Sequence, residues 1–286
     1  MFVLIGAVVV IASVIGGYTA MGGHLVVLIQ PFEAVIIVGS AIGAFIIGNP
    51  PFVVKRTIAA VLALIKGSPY KKESYIELLS LLYQVFKLAK TKGMLALESH
   101  VEHPEESSLF QQFPNFAKDH HAVVFLCDYL RMLTLGTDNP HEMETLIDEE
   151  LETHHHEQHQ VSGAIQNMAD GMPALGIVAA VLGVIKTMGA ITEPPEVLGH
   201  LIGGALVGTF LGVFLSYGFI APVAVACKAM HDSEGKYLQC IKAGILAHLQ
   251  GNPPAVSVEF ARKALLENVR PTFYEVEEAV QALPPV

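Results

Sequence analysis

Four histidines, His154, His155, His156 and His159, stand in a stretch made acidic by Asp148, Glu149, Glu150 and Glu152. His155 and His159 are four positions apart, so they share one face of a helix. The metallopeptidase string His-Glu-x-x-His is absent, because Glu157 falls two positions after His155, and no cysteine lies near enough to complete a structural zinc site. The cluster therefore reads as a solvated helix surface, without a metal. Cys127, Cys227 and Cys240 are isolated and form no C-x-x-C pair, which points to free thiols. No P-loop, dinucleotide fingerprint or nucleophile–base motif occurs, so the chain carries no visible catalytic equipment and no cofactor motif.

A second group of chemically informative residues lies inside apolar runs. From Asp170 to Cys227 two such runs, Met172 to Ile191 and Val197 to Ala226, flank the acidic turn Thr192-Glu193-Pro194-Pro195-Glu196. Each holds the ~20 apolar residues needed to cross a bilayer core, where only helices satisfy their own backbone. Pro173 is expected in the first turn of its helix. Pro222 is expected inside its helix, where it removes a donor and frees the carbonyl of Gly218. Thr209 is the mid-span polar candidate of note, with Ser216 further along the second run, and neither run has an Asp or Glu in its middle. An ion relay through hydrocarbon generally needs an ionisable group. If these helices line one, its carboxylate comes from another chain.

Gly204, Gly208, Gly212 and Ser216 recur every fourth position, with Gly176/Ala180 and Ala179/Gly183 on the other run. Small residues at this spacing let helices approach closely in lipid. Packing within the chain and a face for a partner are both open as uses of the stripe.

These runs are two of four. Phe2 to Ala20 and Leu25 to Ile47 precede them, separated by Met21-Gly22-Gly23-His24. The first lacks a basic leader region and a second span follows at once, so it reads as a retained helix and not a secretory signal. Pro31 and Glu33 suit the start of a helix, with Glu33 in a capping role. The turns around Gly22 and Pro194 contain no Lys or Arg, whereas Lys55, Arg56, Lys66, Lys71, Lys72, Lys228 and Lys236 follow the second and fourth spans. The positive-inside rule places both long polar blocks and both termini in the cytoplasm. Lys186, one turn from the outer loop, is expected to snorkel outward.

The fold class expected is an all-α integral membrane protein with four transmembrane helices and a large helical cytoplasmic domain. Residues 1–49 hold the first two spans, 50–169 the cytoplasmic domain, 170–227 the third and fourth spans, and 228–286 a C-terminal cytoplasmic helical segment. Within the polar blocks, Ile58–Ile65, Glu73–Ala89, His121–Leu135 and a segment from Val258 to Leu265 have helical periodicity, and an acidic tail follows. Gly93 interrupts one helix; Pro104, Pro114 and Asn139-Pro140 bound others. The net charge of −10 and the absence of a basic run argue against nucleic acid as a partner.

The run from Asp170 to Val184 resembles the third membrane helix of the MotA family of flagellar motor stator subunits, within the MotA/TolQ/ExbB proton channel superfamily. Gly203 to Tyr217 followed by Pro222 resembles the fourth. Gly16-Gly17-Tyr18, Gly93 to Glu98 and Val258 to Phe273 are similar to the same family, so the resemblance covers essentially the whole chain. It implies a multi-pass protein of the bacterial inner membrane and a homo-oligomeric ring, a pentamer, around a dimer of MotB. The single span of that partner carries a membrane Asp, and peptidoglycan is reached only through it. By this resemblance Pro173 and Pro222 take the places of two prolines tied to torque, and Thr209 that of the polar residue near the partner's Asp. Ala180 stands where many sodium-driven relatives have Thr, which favours protons as the transported ion.

Lys90 and Glu98 match the charged contacts to the rotor protein FliG. Lys90 stands where the family commonly has Arg, keeping the charge but losing the planar fork, and Lys186 stands where a His is expected. The alternative is an ExbB/TolQ-like energy-transducing channel subunit, whose relatives have three spans and an outward N-terminus. A non-transducing membrane scaffold is the third class.

Overall fold

The structure, a computed structural model, describes residues 2–284. Among them every regular element is helical; short 3-10 helices at Met94–Leu97 and Phe110–Gln112 and a π-helical turn at Ser216–Ile220 accompany the α-helices. In chain order these are α1 (Phe2–Ala20), α2 (Leu25–Leu28), α3 (Pro31–Gly48), α4 (Pro51–Lys66), α5 (Lys72–Lys92), α6 (Glu98–Glu102), α7 (Pro114–Ala117), α8 (His120–Thr134), α9 (Pro140–Met188), α10 (Pro195–Leu215), α11 (Ala221–Leu249), α12 (Pro254–Lys263) and α13 (Phe273–Gln281). The changes of composition at residues 49/50, 169/170 and 227/228 are not where the compact units divide. One unit comprises residues 1–67 and 157–230, the other 68–156 and 231–286.

The first unit contains the apolar helices. Four helical stretches are long and apolar enough to cross a membrane. The second expected span is not one unbroken helix: α2 ends at Leu28, and α3 begins at Pro31 after the non-helical residues Ile29 and Gln30. Pro31 supplies no backbone donor, so its place is the first turn of a new helix. Glu33 lies in that turn, as expected, and one of its carboxylate oxygens is buried without a hydrogen-bond partner.

Buried side chains in this unit are few. Ile37 and Ala41 of α3 pack with Met172 and Ala179 of α9. Ala60 and Leu64 of α4 pack with Val161, Ile165, Ala224 and Cys227. α4 reaches further back than the expected Ile58–Ile65 and buries Val53, Thr57, Ala60 and Leu64 as one stripe. Arg56 on this helix pairs with Glu157. α1 buries none of its residues, and Ile177, Val181 and Ile185 of α9 are exposed. Outward apolar side chains over an inner core of small contacts suit a solvent of hydrocarbon.

The second unit has a core of large side chains. α5 buries Tyr75, Leu78, Leu79, Leu82, Val85 and Phe86 in one core shared with residues of α8, α12 and the later part of α11. Short helices are fixed by side-chain caps. Glu77 accepts from the backbone N–H groups of Asn115 at 2.7 Å and Phe116 at 3.1 Å, at the start of α7. Asp119 accepts from the Ala122 N–H at 3.2 Å and from the Tyr70 hydroxyl at 2.9 Å. The segment after Arg270, expected as an acidic tail, is helical. Thr272 and Glu275 form a reciprocal capping box for α13, and Lys72 donates to Glu275 at 2.6 Å.

Candidate ion path and rotor-facing surface

Pro173 is not in a first turn. α9 runs unbroken from Pro140, so Pro173 is deep in its interior. A proline there removes the donor that would have bonded the carbonyl four residues earlier, that of Ala169. The Ser216 hydroxyl donates to that carbonyl at 2.6 Å, and Ser216 is fully buried. The defect in one helix is thus satisfied by a side chain from the next, as buried backbone groups in lipid require.

Around this bond the two helices run antiparallel in one register. A Cβ built on Gly212 would lie 2.7 Å from both the Gly176 Cα and the Met172 carbonyl oxygen. On Gly208 it would lie 3.0 Å from the Ala180 nitrogen, and on Gly183 2.7 Å from the Ala205 Cβ. The glycine stripe is therefore used within the chain, because its positions face backbone that a side chain would displace. Gly204, the stripe's outermost member, lies instead against the Gln30 side chain. Thr209 follows Gly208 and is half-buried, as is Ala180.

Pro222 lies on the far side of a distortion. Residues Ser216–Ile220 form a π-helical turn, and the Ala221 N–H bonds to the Ser216 carbonyl. Such wide turns accommodate an extra residue in a helix and recur at functional sites. Pro222 thus lies inside the continuous helical stretch Pro195–Leu249, as expected, two residues after this π turn and in the first turn of α11. Pro222 itself is exposed. The hairpin brings together Pro173, Ser216, Ala180 and the Thr209 level. Sequence reasoning noted Ser216 as polar but missed its partnership with Ala169. The signal was present: a serine continues the glycine stripe.

Lys90 and Glu98 belong to the second unit. Lys90 is in the last turn of α5 and Glu98 opens α6; both are exposed. Between them Gly93 has φ 86° and ψ 164°, a conformation open essentially to glycine. Leu97 and Val101, each 1% exposed, anchor the segment carrying Glu98. Arg131 on α8 adds an ion pair to Glu102 at 2.7 Å. Leu95, between the two charges, is 73% exposed. The result is a rigidly held charged edge with an apolar residue standing out from it.

The histidine cluster divides. His155, His156 and His159 are exposed, as a solvated surface implies. His154 is not part of that surface: its side chain is 19% exposed and faces Glu234. It follows Ile147 and Leu151 at helical spacing on the packed side of α9. The three cysteines are free thiols and all are buried.

Comparison with known proteins places these features. The family described as "Motility protein A N-terminal" matches residues 4–93, and the "MotA/TolQ/ExbB proton channel family" matches residues 118–239. "Motility protein A" of Salmonella typhimurium is 43% identical over 283 residues, covering 99% of this chain and 96% of the relative. The structure is similar to that of C. jejuni MotAB, with a TM-score of 0.77 at 21% identity, over 93% of this chain and 96% of the other. It is also similar to the flagellar MotAB stator complex from Bacillus subtilis, with a TM-score of 0.72 at 25% identity, over 92% and 94%. Near-complete coverage at this identity shows that the chain belongs to the MotA family of motility proteins.

Proposed function

We propose that this chain is the multi-spanning subunit of a flagellar stator of the bacterial inner membrane, with both termini in the cytoplasm. It forms a pentameric ring around a dimer of a MotB-like single-span partner and couples proton flow to torque on the rotor protein FliG. Peptidoglycan is contacted only through the partner. The observation that carries this is the α9–α10 hairpin: its middle holds Thr209 and Ser216 but no carboxylate, while Pro173 interrupts its bonding at Ala169. A path so built conducts only when another chain supplies the acid. The partner's Asp, when charged, is stabilised by donors such as the Thr209 hydroxyl; when protonated, it no longer needs them. The proton acts as a ligand that shifts the ring between two packings by its differential affinity for them. Ala180, in place of the Thr of many sodium-driven relatives, supports protons as the ion.

Reconstituted in vesicles, this chain alone is expected to give no proton flux, and the chain with its partner to conduct. Robust flux without a partner would overturn the proposal. Pro173→Ala and Pro222→Ala should leave membrane insertion and partner binding intact while slowing or abolishing swimming.

Lys90 and Glu98 act at the rotor and not in the path. Exposed ion pairs contribute about 0–1 kcal/mol each, so reversing either charge should reduce torque only in part, with proton flux unchanged. Unaltered motility with both charges reversed would remove them from the interface.

A further inference from the structure

We propose that His121, His154 and Glu234 form a binding site for one divalent cation of the zinc class, linking α8, α9 and α11 within the second unit. His121 is at the start of α8, His154 on the packed side of α9, and Glu234 in α11. Their ligand atoms all lie within 4.8 Å of one another. His121 Nδ1 is 3.1 Å from Glu234 Oε1, and His154 Nε2 is 3.5 Å from the same oxygen. Two ligands held about 2.0–2.1 Å from a tetrahedral zinc ion stand about 3.3 Å apart. The observed separations bracket that value, so an ion could be accommodated by sub-ångström movements along these two edges.

The donor set suits a borderline cation. Two imidazoles and one carboxylate are an established three-ligand zinc combination that leaves a fourth position for water. The side chains of His121, His154 and Glu234 are 41%, 19% and 23% exposed, so the ligands are held by packing yet accessible to solvent. The imidazole rings of His121 and His154 have centroids 4.3 Å apart at an interplanar angle of 31°, which converges their nitrogens on one carboxylate.

The surrounding field favours a cation. Asp119 and Glu150 both act on His121, and Asp119 and Glu234 both act on Tyr70.

The site also has a consequence for the fold. In sequence, α9 and α11 leave the second unit at His156 and enter it at His231. A cation would cross-link them near those points and tie both to α8. Binding to the folded but not the unfolded chain would stabilise the unit by linkage.

The test is a titration of the purified full-length chain in detergent with Zn2+ alone, in competition with a chromophoric chelator, and with Co2+ as a spectroscopic stand-in. One equivalent per chain is expected, with the intense visible bands of four-coordinate cobalt. His121→Gln, His154→Gln and Glu234→Gln should each weaken binding at least tenfold and remove the cobalt bands. The double variant His155→Gln/His159→Gln should leave both unchanged, since those side chains belong to the exposed face. Unfolding of a variant is controlled by circular dichroism, and wild type itself should show a zinc-dependent rise in Tm. Lack of stoichiometric binding to wild type, or loss of binding in the His155/His159 variant with retention in His154→Gln, would overturn the proposal and leave the three groups a histidine–carboxylate hydrogen-bonded cluster.

Discussion

The two compact units pack helix on helix with opposite residue choices. In the first, α9 and α10 meet through Gly176, Gly183, Gly208 and Gly212, and the nearest atoms are mostly backbone. In the second, α5 meets its neighbours through Leu78, Leu79, Leu82, Val85 and Phe86. A Cβ built on Gly244 of α11, the glycine that packs closely there, would meet side-chain ends: Leu82 Cδ1 at 3.1 Å and the Phe86 ring at 3.3 Å. The difference follows from the solvent. Where water surrounds the unit, burying a large apolar side chain removes its area from water and stabilises strongly. In hydrocarbon that driving force is absent, so close backbone approach and a hydrogen bond such as Ser216–Ala169 hold the helices together.

The largest expected effect lies in the second unit. Phe86 is fully buried and stacks on the His248 ring at 4.6 Å. Phe86→Ala should cost about 3–5 kcal/mol, a large part of a domain's usual stability. Limited proteolysis should show cleavage within residues 68–156 while the membrane-embedded part stays protected. Wild-type resistance would mean that this core does not stabilise as an aqueous one.

Next in size is a paired glycine test. Gly212→Ala places a Cβ against the Gly176 Cα and the Met172 carbonyl, neither of which can rotate away. Overpacking of this kind costs about 1–3 kcal/mol, and the hairpin must open. Partner co-purification and swimming should both fall. Gly244→Ala meets only rotatable groups and gains about 0.5–1 kcal/mol of helix preference, so its net effect on Tm should be small. Equal damage from the two would erase the distinction between the units.

The Ser216–Ala169 bond gives a smaller effect. Ser216→Ala should cost about 0.6–1.7 kcal/mol, the range for membrane hydrogen bonds. Pro173→Ala restores a backbone donor for the Ala169 carbonyl, so the cost of Ser216→Ala should nearly vanish in that background. Additive effects in the double variant, read from unfolding in detergent, would show that the hydroxyl serves something other than the proline's gap.

Much of this was legible in the sequence, for identifiable reasons. The span containing Glu73–Ala89 and that containing His121–Leu135 were recognised because large apolar residues recur with helical period, and the helices differ from those ranges only at their ends. The continuity of α9 through Pro173 was not legible, because hydropathy changes near Ala169 while the helix does not. The donor that makes the proline tolerable, Ser216, lies 47 residues beyond the Ala169 whose carbonyl it bonds. α13 was hidden by its acidity, although Thr272 and Glu275 at capping-box spacing announce it. The roles of Lys90 and Glu98 rest on resemblance alone, since exposed charges leave no periodic signal. The turn of His154 away from its neighbours depends on α8 and α11, which local sequence does not encode.

The smallest effect concerns acid. Glu275 accepts from Lys72 and from the Thr272 backbone and hydroxyl, and these bonds hold its carboxyl down at about 2 from an ordinary 4.5. Glu259 is lowered as well, first by its hydrogen bonds from Arg262, which outweigh burial. Both carboxyls are more acidic folded than unfolded, so both add stability that is present above about 4.5 and lost as pH falls toward the folded values. Helix α13 should therefore loosen between about 4.5 and 2, and α12 below about 4.5, ahead of the leucine- and phenylalanine-filled part of the core. Hydrogen exchange in α13, corrected for the intrinsic rate, should rise over that window in wild type. Glu275→Gln keeps acceptor capacity for Thr272 but loses the charge that attracts Lys72. It should begin with weaker protection at neutral pH and change less on acidification. Equal pH dependence in wild type and Glu275→Gln would assign the loosening to other carboxylates.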